Sequence, residues 1–253
     1  MTGSDTLLLT ARAEIYRCLS LAFADPQAGI AKRLTCQWPV TVAALEALGI
    51  ASREAAGVAG DLAGGALSDA ALEIAHAACF GHAVSKDCPP YEAEYGQAHI
   101  FEKTQTLADI SGFYRAFGLE SAATIRDRTD HIAFELEFME FLCRKQVFAV
   151  VNGHPLDRIG QCRGAQRAFL EAHLGRWGFS FAHHLIRKEP GSILASWARL
   201  LEAFLAEELT AMGIERWTDP FLNEGDVDRV EDTACGTCPI MPGVARLPAE
   251  VRP

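Results

Sequence analysis

No stretch of the chain reaches the roughly 18 consecutive apolar residues that a membrane-spanning helix needs. Clustered cations are missing too. Lys and Arg number 23 against 33 Asp and Glu, a net charge of −10. That balance argues against nucleic acid or an anionic membrane surface as the main partner, because both are held by concentrated positive charge. The opening Met-Thr-Gly-Ser-Asp-Thr-Leu-Leu-Leu has no basic region ahead of its short apolar run and no arginine pair. It does not read as an export signal, and the expected location is the cytoplasm. On that expectation the eight cysteines are free thiols in a reducing compartment. The phosphate-binding glycine loop, the dinucleotide fingerprint, Gly-x-Ser-x-Gly and His-Glu-x-x-His are all absent. A single Glu-x-x-His, Glu73 to His76, stands alone where a di-iron bundle needs two, plus two further glutamates. His183 and His184 are adjacent, about 100° apart on a helix, and cannot share a metal easily. No residue is therefore assigned to catalysis, and no cofactor is required.

Strand signals are scarce. Val147 to Val151 is the one β-branched stretch, and it is too short to build a sheet. Helical periodicity dominates instead. Leu8, Ala11, Ile15, Leu19 and Ala22 recur at spacings of three and four, one apolar stripe over 7–24, ended by Asp25-Pro26. Residues 40–50 and 67–80 read as helices, separated by a region broken at Gly57, Gly60, Gly64 and Gly65. Thr104 suits the cap of a helix to about Phe117, closed by Gly118. The clearest helix runs from about Asp130 to Val147, with Phe134, Phe138, Phe141 and Leu142 widening its apolar face. Pro155 opens a further helix to about Leu174. A short aromatic helix covers 177–187, and Ser192 caps a last one to about Met212. The expected fold is all-α, a single bundle-like domain of about nine to eleven helices over 1–216. A hinge-like stretch at 118–128 leaves room for domain exchange, so a monomer and a homodimer are both open. Residues 217–253 read as an irregular tail.

Three places carry chemistry. Asp130-His131 opens the central helix. Asp130 suits an N-cap and the positive end of the helix dipole, and His131 and Glu135 are four apart, on one face. The alternative to a plain cap is a polar mouth that receives a cationic peptide. Pro89-Pro90-Tyr91-Glu92-Ala93-Glu94-Tyr95 sets two acids and two aromatics past a rigid turn, either as a core edge or as a binding surface. Cys235-Gly-Thr-Cys238-Pro239 has the spacing of a zinc, Fe–S or redox pair. A closed site would need Cys79, Cys88 or a histidine in addition. The acids Asp226, Asp228, Glu231 and Asp232 disfavour thiolates there. Metal or redox use and two idle thiols both remain open.

Several segments together resemble one family. Asp130 to Met139 (Asp-His-Ile-Ala-Phe-Glu-Leu-Glu-Phe-Met) is similar to the Asp-His-x-x-x-Glu-Leu-x-Phe-Met signature of the TorD/DmsD/NarJ molybdoenzyme maturation chaperones. Tyr16 to Phe23 resembles that family's first helix. Pro90-Tyr91-Glu92-Ala93-Glu94-Tyr95 resembles its Pro-Tyr-Glu segment. Phe169 to Trp177, with Phe181 beyond, resembles its Phe-Leu-x-x-His-Leu-x-x-Trp helix. The match runs in order over about 7–212. Thr129 departs from the proline often found before the Asp-His pair, which puts the geometry of that loop in question. The resemblance implies an all-helical chaperone without turnover. Its partner would be the catalytic subunit of a molybdenum enzyme, gripped by its twin-arginine signal peptide or its body while cofactor is inserted. Asp130 and His131 match positions implicated in signal-peptide recognition. Glu92, Glu94, Asp130 and Glu135 would then supply acids for arginine, and Tyr91, Tyr95 and Phe138 apolar walls. The Cys235/Cys238 tail is similar to tails of chaperones serving dimethylsulfide, ethylbenzene, selenate or chlorate enzymes. The rival expectation is a zinc- or Fe–S-carrying accessory protein centred on those two cysteines.

Overall fold

The computed structural model describes residues 3–50, 52–63, 67–81, 87–95, 100–120 and 128–216. Among them are nine α-helices and no strand: α1 Gly3–Phe23, α2 Ile30–Ala47, α3 Ser52–Ala63, α4 Asp69–Phe80, α5 Ile100–Ala116, α6 Ile132–Val151, α7 Leu156–Ala172, α8 Leu174–Lys188 and α9 Ile193–Met212. A 3-10 turn covers Glu92–Glu94. None of these helices is long and apolar enough to cross a membrane. The tail with Cys235 and Cys238, and most of the hinge-like stretch at 118–128, lie outside the described residues.

α1 forms because apolar residues occupy most of its length, and it is buried on more than one face. Ile15, Tyr16, Cys18, Leu19 and Phe23 are all buried, packed between α6 and α2. Ser20 Oγ donates to the Ala133 carbonyl at 2.9 Å, tying α1 to the start of α6. Leu8 leaves the expected stripe and is 39% exposed. Edge-to-face aromatic pairs knit the middle of the bundle: Tyr16 with Phe204, Phe23 with Phe181, and Trp38 with Trp197. Such pairs add about 0.5–1.5 kcal/mol each beyond their buried area.

Three helices depart from the sequence expectation. α2 starts ten residues early and runs through Pro39. Ile30, Leu34 and Trp38 recur every four residues and are buried, so packing overrides the cost of a mid-helix proline. Its N-terminus is capped from a distance, since the Asp69 carboxylate accepts from the N–H groups of Gly29 and Ala31 at 2.6 and 2.9 Å. These bonds hold the Asp69 carboxyl below its ordinary range. α3 forms despite Gly57 and Gly60 because it lies on α9; a Cβ at Gly57 would sit 3.7 Å from Ser196 Oγ. α5 begins at Ile100, so Thr104 lies inside it and is not its cap. Ser192 does cap α9, accepting from Leu194 N–H at 3.2 Å.

A buried ionic knot joins four helices. The Arg12 guanidinium on α1 forks onto Glu208 of α9, both N···O distances being 2.6 Å. Tyr16 donates to the same carboxylate at 2.6 Å. Arg12 also donates to Gln166 of α7 at 2.8 Å, and Gln166 donates to Gln146 of α6 at 2.8 Å. At His173 the chain breaks between α7 and α8, and Gly175 passes so close to α7 that a Cβ would lie 2.5 Å from the Leu170 carbonyl oxygen.

Three stability outcomes follow. Gly175→Ala should cost about 2 kcal/mol or more in urea unfolding, because the obstructing atom is backbone. At Gly178 the obstruction is the methyl end of Leu205 at 2.8 Å, so Gly178→Ala should be nearly neutral after about 1 kcal/mol of helix propensity offsets the crowding. Glu208→Gln should cost about 3–5 kcal/mol by leaving Arg12 buried without a counter-charge, and Arg12→Met combined with Glu208→Leu should recover most of it.

Candidate functional site

The two segments singled out by sequence meet. Tyr91 and His131 form an antiparallel bridge. Glu92 N–H donates to the Asp130 carbonyl at 3.0 Å, and Ile132 N–H donates to the Pro90 carbonyl at 2.9 Å. The loop 87–95 is thereby fastened to the entrance of α6. Asp130 does not cap α6. Its carboxylate is 0% exposed and turned to the loop, where Oδ2 accepts from Ala93 N–H at 3.0 Å. His131 takes over the cap, with Nδ1 accepting from Ala133 N–H at 3.1 Å. That bond fixes the tautomer of a neutral His131 with its proton on Nε2.

The acids expected to meet a peptide already have partners. Arg128 Nε and Nη2 donate to Asp130 Oδ1 and Oδ2 at 2.9 and 2.7 Å. Arg128 Nη1 donates to Glu94 Oε1 at 2.7 Å, and Lys103 Nζ donates to Glu94 Oε2. The guanidinium carbon lies 4.5 Å from the centre of the Tyr91 ring. The His131 ring meets the same Tyr91 edge-on at 5.2 Å. Burial works against an ionised Glu94, but the bonds from Lys103 and Arg128 prevail and hold its carboxyl below the ordinary range. Sequence reasoning passed over Arg128 and Lys103. The signal was Arg126-Asp127-Arg128, a dense charge run directly before a helix entrance.

Beneath this corner sits a second acidic layer. Glu135 is fully buried, and its Oε2 accepts from Trp177 Nε1 at 3.0 Å. Glu92 faces His173 Nδ1 at 3.0 and 3.1 Å, and His173 Nε2 lies 3.3 Å from Asp109. Burial, then the neighbouring Glu92 carboxylate, push the Glu135 carboxyl well above the ordinary glutamate range. Glu135 is thus an internal group and not a surface acid. Phe138 is corrected likewise: it is 2% exposed and packs on Tyr114 and Phe169, so it walls the core and no open groove. Tyr95 packs on Trp177 and His184. His173 and Trp177 were visible only as parts of the family resemblance.

For a metal, the described residues offer no cluster of three or more His, Cys, Asp or Glu suited to an ion. Cys79 and Cys88, the partners weighed for Cys235 and Cys238, are buried thiols outside any disulfide. Burial pushes the Cys88 thiol up to about 12, a poor state for a thiolate ligand. Two open cavities of about 410 Å³ each lie away from this corner, one against Phe179 and Arg216, the other against Leu8, Leu156 and Met212.

Comparison with known proteins finds one family model and two curated relatives. The family model described as nitrate reductase delta subunit matches residues 45–183, more than half of the chain. The chain therefore belongs to this family of molybdoenzyme maturation chaperones. A perchlorate reductase assembly chaperone protein from Dechloromonas aromatica (strain RCB) is 36% identical over 90 residues, 35% of this chain and 39% of that protein. A selenate reductase assembly chaperone protein from Thauera selenatis is 33% identical over 79 residues, 31% of this chain and 39% of that protein. The matched stretch spans about two fifths of each of these curated relatives.

The buried Glu135 gives a pH dependence of definite sign. In the unfolded chain its carboxyl ionises at the ordinary value, whereas folded it keeps its proton to higher pH. The folded state then binds more protons within that window, so this contribution to stability falls as pH rises. Glu135→Gln mimics the protonated acid. Its melting temperature should gain steadily on wild type from about pH 4.3 upward. Parallel melting curves for the two proteins at every pH would contradict the raised carboxyl.

Proposed function

We propose that the chain is a cytoplasmic maturation chaperone for the catalytic subunit of a molybdenum enzyme, a reductase of the kind its curated relatives assemble. It holds the apo-subunit, including its twin-arginine signal peptide, until cofactor has been inserted and export can begin. It performs no chemical turnover in this role.

The observation that carries the reading is the seat built by Asp130, Glu94 and Tyr91 at the bridged corner. A carboxylate that is 0% exposed, a second carboxylate and a ring face are arranged around one guanidinium. Arginine is the side chain such a seat selects, because its planar fork matches a carboxylate at two points and its face stacks on an aromatic ring. Lysine meets neither condition. A signal bearing paired arginines ahead of an apolar stretch fits a corner whose neighbours are Tyr91 and the half-buried face of α5.

The test is a fluorescence-anisotropy titration with a labelled Arg-Arg signal peptide and its Lys-Lys counterpart. The Lys-Lys peptide should bind about tenfold more weakly, equivalent to about 1.4 kcal/mol. Tyr91→Ala should weaken the Arg-Arg peptide and leave the Lys-Lys peptide almost unaffected. Equal affinity for both peptides, with a client enzyme that still acquires molybdenum in a deletion strain, would defeat the proposal.

A further inference from the structure

Every polar nitrogen of Arg128 is already engaged at the corner just described. Nε and Nη2 sit on the two oxygens of Asp130 at 2.9 and 2.7 Å, and Nη1 sits on Glu94 at 2.7 Å. The Tyr91 ring covers one face of the guanidinium at 4.5 Å. Forked hydrogen bonds to one carboxylate, a third to another and a stacked ring engage all three guanidinium nitrogens and one face. The chain supplies this guanidinium itself, from a position two residues before the Asp130 it binds.

We infer that Arg128 is an internal stand-in for a client arginine, and that a client engages by displacing it. This rests on the reading above that client arginine is recognised at this corner. The side chain of Arg128 is 32% exposed, whereas that of Asp130 is 0% exposed. Arg128 therefore occupies the more exposed side of the pair, and Asp130 the closed side. When Arg128 leaves, the Ala93 N–H still bonds Asp130, but the buried carboxylate has lost its cation. Such a carboxylate demands another cation of the same shape. Glu94 is shared with Lys103, so it keeps a partner during the exchange, and Asp130 is the point at which one guanidinium replaces another.

Self-occupancy sets a threshold. A tethered occupant competes at high effective concentration, so a stray single arginine is excluded. A peptide with two adjacent arginines and an apolar segment gains enough further contact to win. It also supplies a means of release, because Arg128 is always at hand to refill the seat.

The experiment uses the full chain, wild type and Arg128→Ala, with methylguanidinium and methylammonium as probes in thermal-shift titrations at constant ionic strength. Arg128→Ala should show saturable stabilisation by methylguanidinium and none by methylammonium, while wild type should need about tenfold more methylguanidinium for the same shift. If the seat is open about a tenth of the time in wild type, the Arg-Arg peptide should bind Arg128→Ala about tenfold more tightly. A folded Arg128→Ala that ignores methylguanidinium, or that gains no affinity for a peptide wild type does bind, would overturn the inference. Should Arg128→Ala fail to fold, Arg128→Gln replaces it, and wild type itself gives a separate readout. The Nε–H resonance of Arg128 should shift on adding the Arg-Arg peptide, and an unmoved resonance at saturation would equally overturn the inference. A peptide that binds neither protein, with methylguanidinium still taken up by Arg128→Ala, removes the client reading and supports the guanidinium seat.

Discussion

A carboxylate with no exposure to solvent holds the bridged corner between loop 87–95 and α6 together. Asp130 accepts from the backbone of the loop 87–95 and from two nitrogens of Arg128, while its own carbonyl accepts from Glu92. Removing a charge from water is costly unless pairing and hydrogen bonds replace the hydration. Here two chain segments, the loop and the residues just ahead of α6, provide them. The cap of α6 passes to His131 because Asp130 is committed elsewhere. The loop is held through its backbone at the bridge, which leaves the Tyr91 face and the Glu94 carboxylate to meet a guanidinium.

The layer beneath is of a different kind. Glu92, Glu135, His173 and Trp177 come from the loop, α6, the α7–α8 break and α8. They join elements that apolar packing alone would let slip relative to one another. A buried polar group adds little net stability but strongly penalises arrangements in which it loses its partner. The Arg12–Glu208 knot does the same for α1, α6, α7 and α9. The seat for arginine is thus mounted on a frame whose geometry is set by charge as well as by hydrophobic burial.

Much of this was readable in the residues, and the misses have causes. α6 and α9 stand out because Leu136, Met139 and Cys143, and Trp197, Leu201 and Phe204, repeat at helical spacing; Ser192 caps α9 as expected, while the cap of α6 falls one residue later, on His131. α2 and α3 were misjudged because Pro39, Gly57 and Gly60 are local signals against helix, while the burial of Trp38 and Val58 that outweighs them is set by distant partners. At the site, the acids and tyrosines were identifiable from charge and aromatic spacing. Their internal pairing was not, since a charge run such as Arg126-Asp127-Arg128 usually lies on a solvated surface. The place of Glu135 one turn after His131 suggests an acid available to a client arginine, whereas its carboxylate bonds Trp177 of α8. Arg12 and Glu208 each interrupt an apolar stripe, which in hindsight marks a matched pair of buried charges.

The two polar networks grip α6 at Glu135 and at Gln146, about 16 Å apart along its axis at 1.5 Å per residue. A rod clamped at two points has no freedom to slide or to turn. Shifting α6 by a single residue would tear charges or amides from their partners at both clamps simultaneously. A displacement of the loop is therefore resisted by the helices that share these clamps, α7, α8 and α9, and is not taken up by axial creep of the central rod.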